Sequence, residues 1–323
     1  MPGATARDYH IDTFLTNILI GYRPVGLIAD QIFPVVPVKK QSDVIPIVDR
    51  ANWLRIDDTK RAPATKAKEG TFSVSSITYF CKNYAFAHVT PYEVLANADA
   101  PHQPTQRAGE FVIDRLMLDF EKRVADTLAG GVGSSTTLTG TDIWSDFANS
   151  DPLTQIEIKY NAIKDTTGYV PNVCVIGRKS WQKTRRHPDI VRAAAGLGTA
   201  GVGGVVTQEQ FANLIGVEKV LVPGAVINTA NEGATATYAD IWSASMFVLA
   251  YVAPTPGLMV PTFGYGFNWV VPGVSTGGGP GAFTLERKRD DDIGAEFVRS
   301  AYYQDEKIIA AELGAMIHTG ITS

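Results

Sequence analysis

Apolar positions along this chain change texture several times, and each texture predicts a different element. From Leu27 to Val48 they cluster between prolines. Leu27, Ile28, Ile32, Phe33, Val35, Val36, Val38, Val44, Ile45, Ile47 and Val48 are apolar, interrupted by Pro34, Pro37 and Pro46. Each proline removes a backbone donor and argues against a helix or a central strand. Each apolar side chain left in water forfeits roughly 1.5–3 kcal/mol. The reading is an extended arm that cannot bury itself and is covered by another surface, such as a second subunit.

From Thr71 to Val89 the pattern is strand-like, with Phe72, Val74, Ile77, Tyr79, Phe80, Tyr84 and Phe86. The hydrophilic stretch Thr59–Lys68 precedes it, and together they read as a long projecting two-stranded loop with a basic tip. A long helix follows, capped by Thr105 and stopped by Gly130-Gly131. Ile113, Met117, Phe120, Val124 and Leu128 form its apolar stripe. Its length is on the order of 36 Å at the usual helical rise. Asp119 lies four residues from both Arg115 and Arg123 and can pair with either.

Asp151-Pro152 opens a second helix with Leu153, Ile156, Tyr160 and Ile163 on its buried side. A short buried strand is expected at Val173–Ile176, a basic helix at Lys179–Arg186, and a helix opened by the capping box Thr207/Gln210. Strands follow at Val217–Val222 and within Ile241–Val252. The alternation predicts a compact α/β module. After Pro254 the texture turns to β, with strands at Thr262–Val271, Phe283–Arg289, Ala295–Tyr303 and Lys307–His318. A short helix is also expected near Ile11–Ile20.

Composition narrows the function. A net charge of −4 argues against a nucleic-acid reader, which carries a basic stripe. Cys81 and Cys174 are far apart and read as free buried thiols of a reducing compartment. The first residues lack the build of a signal peptide, and no apolar run approaches the roughly 20 residues that span a bilayer. The expectation is a protein made and assembled in the cytoplasm, with no membrane partner.

Motifs for catalysis are weak. Gly196-Leu-Gly198-Thr-Ala-Gly201 matches a dinucleotide fingerprint, but the residues before it read as helix rather than strand. Gly273-Val-Ser275-Thr-Gly277 matches a serine-hydrolase elbow, yet glycines and Pro280 follow where a helix must start. Asp290-Asp291-Asp292 reads as a solvated turn beside Arg287, Lys288 and Arg289. The five histidines show no metal-ligand spacing. Arg178, Lys179, Lys183, Arg185 and Arg186 read as a charged helix face. The expectation is a non-enzyme without cofactor or metal.

Several segments, in order, resemble the major capsid proteins of tailed bacteriophages. They are Leu27-Ile-Ala-Asp-Gln-Ile-Phe-Pro-Val-Val-Pro-Val-Lys39, Lys60-Arg-Ala-Pro63, Phe120-Glu-Lys-Arg-Val-Ala125 and Trp144 to Pro152. Downstream come Pro171-Asn-Val-Cys-Val-Ile-Gly-Arg178, Trp181, His187-Pro188, Ala239-Asp-Ile-Trp242, Leu249-Ala-Tyr-Val252 and Thr262-Phe-Gly-Tyr-Gly-Phe267. The resemblance implies an α+β Hong Kong 97-like fold. Residues 1–50 are then an N-terminal arm, and 51–90 an extended hairpin. Residues 91–151 carry the spine helix and the first part of a peripheral domain. An axial domain spans 152–255, and 256–323 make a β-rich return to the peripheral domain.

The same resemblance implies a head shell of hexamers and pentamers around double-stranded DNA, with portal, scaffolding and decoration proteins as partners and the virion as location. Intersubunit contacts are then expected at Leu27, Ile32, Phe33, Val35, Val36, Val38, Ile45, Lys60, Arg61, Lys66 and Lys68. Gly196, Gly198, Gly201, Gly203 and Gly204 fall in an axial loop. Some relatives cross-link through a hairpin lysine, and Lys60, Lys66 and Lys68 lie in that region. Two other readings stay open: an encapsulin-like nanocompartment shell, and an α/β enzyme using the glycine loop.

Overall fold

The computed structural model describes residues 10–11, 26–48, 55–67, 69–71, 73–98, 103–195, 204–258, 260–271 and 283–321. The helix expected near Ile11–Ile20 lies outside them, apart from Ile11, which ends strand β1 (His10–Ile11). The chain then forms α1 (Ala29–Ile32), β2 (Val35–Val38), β3 (Ser42–Val48), β4 (Val74–Phe80), β5 (Lys82–Pro91), α2 (Tyr92–Ala96) and α3 (Pro104–Gly130). Next are β6 (Ser134–Thr137), α4 (Pro152–Thr167), β7 (Val173–Ile176), α5 (Arg178–Thr184), α6 (Pro188–Ala195), α7 (Gln208–Ile215) and β8 (Lys219–Leu221). Last are β9 (Val226–Asn228), β10 (Tyr238–Asp240), β11 (Met246–Ala250), β12 (Gly264–Trp269), β13 (Leu285–Asp290), β14 (Ala295–Ile308) and β15 (Gly314–His318).

Two main sheets organise these elements. In the first, the long strand β14 is flanked on one side by β13 and β12 end to end and on the other by β5; β1 extends β13 and β2 extends β12. Helix α3 lies across one face of this sheet. Its buried residues Ala108, Val112, Ile113 and Leu116 meet Leu285, Val298 and Tyr302. The helix starts at Pro104, one residue before the expected cap, and the Thr105 hydroxyl reaches the Glu296 carboxylate instead. Its 27 residues give about 40 Å of rod.

The second sheet runs β6-β15-β11-β7-β8, and helices α4 and α7 lie against its buried strands. The caps at Asp151 and at Thr207/Gln210 form as the sequence predicts. The stretch 256–323 divides between the two sheets: β12, β13 and β14 lie in the first, while β15 pairs with β11 and β6 near the centre of the second. Its run Gly-Ala-Met-Ile is buried throughout, as suits a strand covered on both faces.

The arm departs further from expectation. Ile32 and Phe33 are fully buried, and Val36, Val38 and Ile45 nearly so, all within their own subunit. Leu27 and Val35 are partly buried against the same core. The physical reason is pairing: β2 runs parallel to β12, which supplies the ladder that a proline-interrupted segment cannot supply itself. Gly264 leaves room for the Phe33 ring, since a side chain there would meet it at 2.5 Å. Ile32, Phe33, Val36, Val38 and Ile45 are therefore packed into the core of their own subunit, while Leu27 and Val35 keep part of their surface exposed. A separate pairing joins the arm to the hairpin: β3, from the arm, runs antiparallel to β4.

A deletion of residues 1–48 strips Ile32, Phe33, Val36, Val38 and Ile45 from this core. Phe33→Ala is expected to cost about 3–5 kcal/mol. Urea unfolding of the full chain and the variant, followed by fluorescence, checks this.

Candidate assembly surface

The arm is fixed by one buried carboxylate. Glu121 on α3 accepts the backbone N–H of Ile28 through both its oxygens (3.0 and 3.1 Å), the N–H of Ala29 at 2.9 Å, and the indole Nε1–H of Trp242. Every partner is a donor, so an acceptor-only group is required. Burial pushes the Glu121 pKa above its ordinary value, while the N–H donors pull it back. Three of the segments that carry the capsid resemblance thus meet at one side chain. Sequence reading overlooked Glu121, although it lies beside Phe120 on the arc shared by Val124, Ala125 and Leu128. An acidic residue at a buried position of a periodic stripe is the available signal.

Two residues further, Arg123 ties α3 to the first sheet. Its guanidinium donates to Glu306 and to the Tyr302 hydroxyl, pairs with Asp119, and lies 3.6 Å from the centroid of the Tyr84 ring. The Asp119 partner was expected. Arg115 stacks over Phe111 instead.

On the face of the first sheet turned away from α3, the chain packs against β2 and β12. There β3 and β4 form a ribbon whose inner side places Ile45 and Tyr79 on Val36, Val38, Tyr265 and Phe267. Tyr79 stacks on Phe267 with ring centroids 4.8 Å apart. The ribbon's outer side carries Val44, Val74 and Phe80, each more than half exposed. Beyond it, Lys60, Arg61 and Lys66 are exposed, and Ile56 is 97% exposed. Lys68 lies outside the described residues. So do Gly196, Gly198, Gly201 and Gly203; Gly204 is exposed.

Constellations with catalytic form do not have catalytic geometry. Ser150 Oγ lies 3.0 Å from His187 Nε2, and Asp189 carries the carboxylate nearest the other ring nitrogen at 3.6 Å. Yet His187 Nδ1 accepts the Asp189 backbone N–H, which leaves Nε2 as the protonated donor toward Ser150. A hydrolase base needs the opposite tautomer. Both cysteines are buried, and burial pushes Cys81 up to about 12. Asp290–Asp292 make a turn in which Asp290 accepts the Asp292 N–H. Arg178 pairs with Asp240. Ser275 lies outside the described residues. Among the described residues no group of three acidic, histidine or cysteine side chains could hold a metal ion. Among the described residues no helix is long and apolar enough to cross a membrane.

No family model matches the chain. The major capsid protein of Pseudomonas phage JBD67 is 32% identical over 238 residues, covering 72% of this chain and 75% of that protein. The major capsid protein of Burkholderia phage BcepMu is 27% identical over 249 residues, covering 75% and 76%. Among solved structures, a phage-related protein of Bordetella bronchiseptica RB50 superposes with a TM-score of 0.72 at 23% identity, over 96% of this chain and 97% of that one. The capsid of cyanophage P-SCSP1u gives 0.57 at 12% identity, over 92% and 89%. The SrpI encapsulin of Synechococcus elongatus PCC 7942 gives 0.56 at 10%, over 93% and 90%. The architecture is the Hong Kong 97-like fold.

Glu121→Ala leaves three buried N–H groups unpaired and is expected to cost more than about 3 kcal/mol. Glu121→Gln, which keeps an accepting oxygen, costs less; urea unfolding of the two variants gives the order. His187 supplies a pH test. Burial holds its pKa below 6.5, opposed by Asp189 and Asp151. The unfolded chain therefore takes up a proton first as the solution is acidified. Stability is expected to be flat above pH 6.5 and to fall below it, and His187→Gln is expected to flatten that slope in unfolding measured across the range.

Proposed function

Because the chain belongs to the phage major capsid protein family, we propose that its copies close as hexamers and pentamers into the icosahedral head of a tailed phage, around double-stranded DNA. The observation that carries this reading is the ribbon β3–β4. A two-stranded ribbon is marginal alone, and this one has apolar side chains on both faces. Its inner face rests on its own subunit, and its outer face, with Val44, Val74 and Phe80, stays in water. A neighbouring copy completes it. The sticky surface expected of the arm is thus assigned to the ribbon, and the arm's 26–38 stretch becomes the anchor that holds the ribbon's base.

In this reading the first sheet with α3 is the peripheral domain, and the second sheet with its helices is the axial domain. Portal, scaffolding and decoration proteins are partners, and assembly takes place in the host cytoplasm. The net negative charge suits a container that does not grip packaged DNA. The encapsulin neighbour supports a second reading only at the level of fold, since both sequence relatives are phage proteins. Electron microscopy of purified particles separates the two, by DNA and a unique portal vertex against packaged protein.

Charge reversal of the tip, Lys60→Glu, Arg61→Glu, Lys66→Glu and Lys68→Glu together, is expected to abolish shells while leaving the melting of isolated subunits nearly unchanged. Electron microscopy and thermal unfolding of one preparation make the check; equal loss in both reduces the tip to a part of the fold.

A further inference from the structure

Helix α5 carries positive charge that the subunit does not neutralise. Between Arg178 and Arg192 six basic residues stand against one acidic residue, Asp189, in a chain whose net charge is −4. The rest of the chain is therefore more acidic than the whole. Two of the six are paired within the subunit, Arg178 with Asp240 at 3.0 Å and Arg192 with Asp189 at 2.9 Å. Lys179, Lys183, Arg185 and Arg186 have no ion pair among the described residues. Their placement is fixed from beneath. Trp181 packs on Phe211, and the Ser180 and Thr319 hydroxyls bond at 2.6 Å, which locks the other side of α5 into the core of the second sheet. The Arg185 and Arg186 N–H groups continue the turn onto the Trp181 and Lys183 carbonyls, and the Arg185 carbonyl accepts the Val206 N–H at 2.9 Å. Lys179, Lys183 and Arg186, four and three residues apart, thus share one face over about 10 Å. Lys183 and Arg186 are exposed; Lys179 and Arg185 are half-buried, and Arg185 Nε is buried with no acceptor. Like charges at this spacing repel, and a buried donor without an acceptor is costly. Both penalties are relieved by an anion.

We infer that this stripe binds the phosphate backbone of the enclosed double-stranded DNA, which puts the α5 face of each subunit on the inside of the shell. The inference rests on the shell reading and names the surface where the contents touch the container. Duplex DNA carries one charge per about 1.7 Å of axis, so a stripe of about 10 Å meets about six phosphates. Guanidinium groups offer phosphate oxygens paired N–H donors, and Arg185 and Arg186 supply two of them at one end of the stripe. The contact reads no base edge, in keeping with a container that takes any sequence. The acidic remainder of the chain repels the same polymer, so the grip stays local, at one stripe per copy. The ribbon tip fits this role less well, because Asp57 and Asp58 stand among its cations.

The test uses the full chain in two arms. In the first, a short fluorescein-labelled duplex of mixed sequence is titrated with unassembled subunits and followed by anisotropy. Affinity is expected to fall on the order of 100-fold between about 50 and 200 mM salt, the loss that four phosphate contacts give. Lys179→Glu, Lys183→Glu and Arg186→Glu together are expected to abolish binding. The milder set Lys179→Gln, Lys183→Gln and Arg186→Gln is expected to flatten the salt dependence with melting unchanged. Lys60→Glu, Arg61→Glu and Lys66→Glu together are expected to leave binding intact. Unchanged binding in both stripe sets, or loss of binding in the tip set alone, overturns the stripe. In the second arm, lysines of purified particles are acetylated and read by mass spectrometry. Lys179 and Lys183 are expected to be protected in DNA-filled particles and reactive once the DNA is released. Reaction in filled particles at the rate of free subunits overturns the inward placement. Protection that persists in emptied particles means that protein covers the stripe, and it overturns the DNA contact. A chain that binds the duplex through the stripe but forms no shell defeats the shell reading instead, with the first arm still standing.

Discussion

A single buried carboxyl group joins the arm, the long helix and the α/β module. Glu121 sits inside the long helix with three N–H groups converging on its two oxygens, from the arm and from the indole of the α/β module. A buried carboxylate is costly unless its acceptor capacity is used, and a buried N–H is costly unless it is accepted. Each group therefore resolves the other's penalty, and only one placement of arm, helix and module does so for all of them. Arg123, two residues on, repeats the logic toward the first sheet with Glu306, Tyr302 and Tyr84.

Fixing the base of the ribbon has a geometric effect. The arm runs from the Glu121 clasp through β2 directly into β3, so the ribbon leaves the body at a defined point. Tyr79 and Ile45 hold its inner side flat on the sheet. The apolar side chains on the ribbon's outer side, Val44, Val74 and Phe80, are thereby held at a defined place. A chain that must meet identical neighbours gains from having its uncovered surface placed by buried contacts rather than by a free tail.

Local signals were readable from the residues alone. The periodic stripe of α3 and the caps at Asp151 and Thr207 appear where spacing and side-chain chemistry put them. Long-range pairing was not readable. The burial of Phe33 depends on β12, and specifically on Gly264 lacking a side chain, neither of which the arm's own pattern announces. Prolines in Leu27–Val48 argued correctly against a central strand, but β2 is an edge strand, where a missing donor costs little. The ribbon was half visible: its second strand reads as β, while Pro46 disguised its first. Glu121 looked like one more charge on a helix, because its three partners come from elsewhere in the chain.

The position of β15 has its own consequence. Residues 314–318 lie between β6 and β11, close to the middle of the second sheet. A ribosome-bound chain stopped short of Gly314 lacks the strand that joins β6 to the rest, and β11 keeps an open hydrogen-bonding edge. The sheet can finish only once residues 314–318 are present, so its closure waits on a strand more than sixty residues after β11.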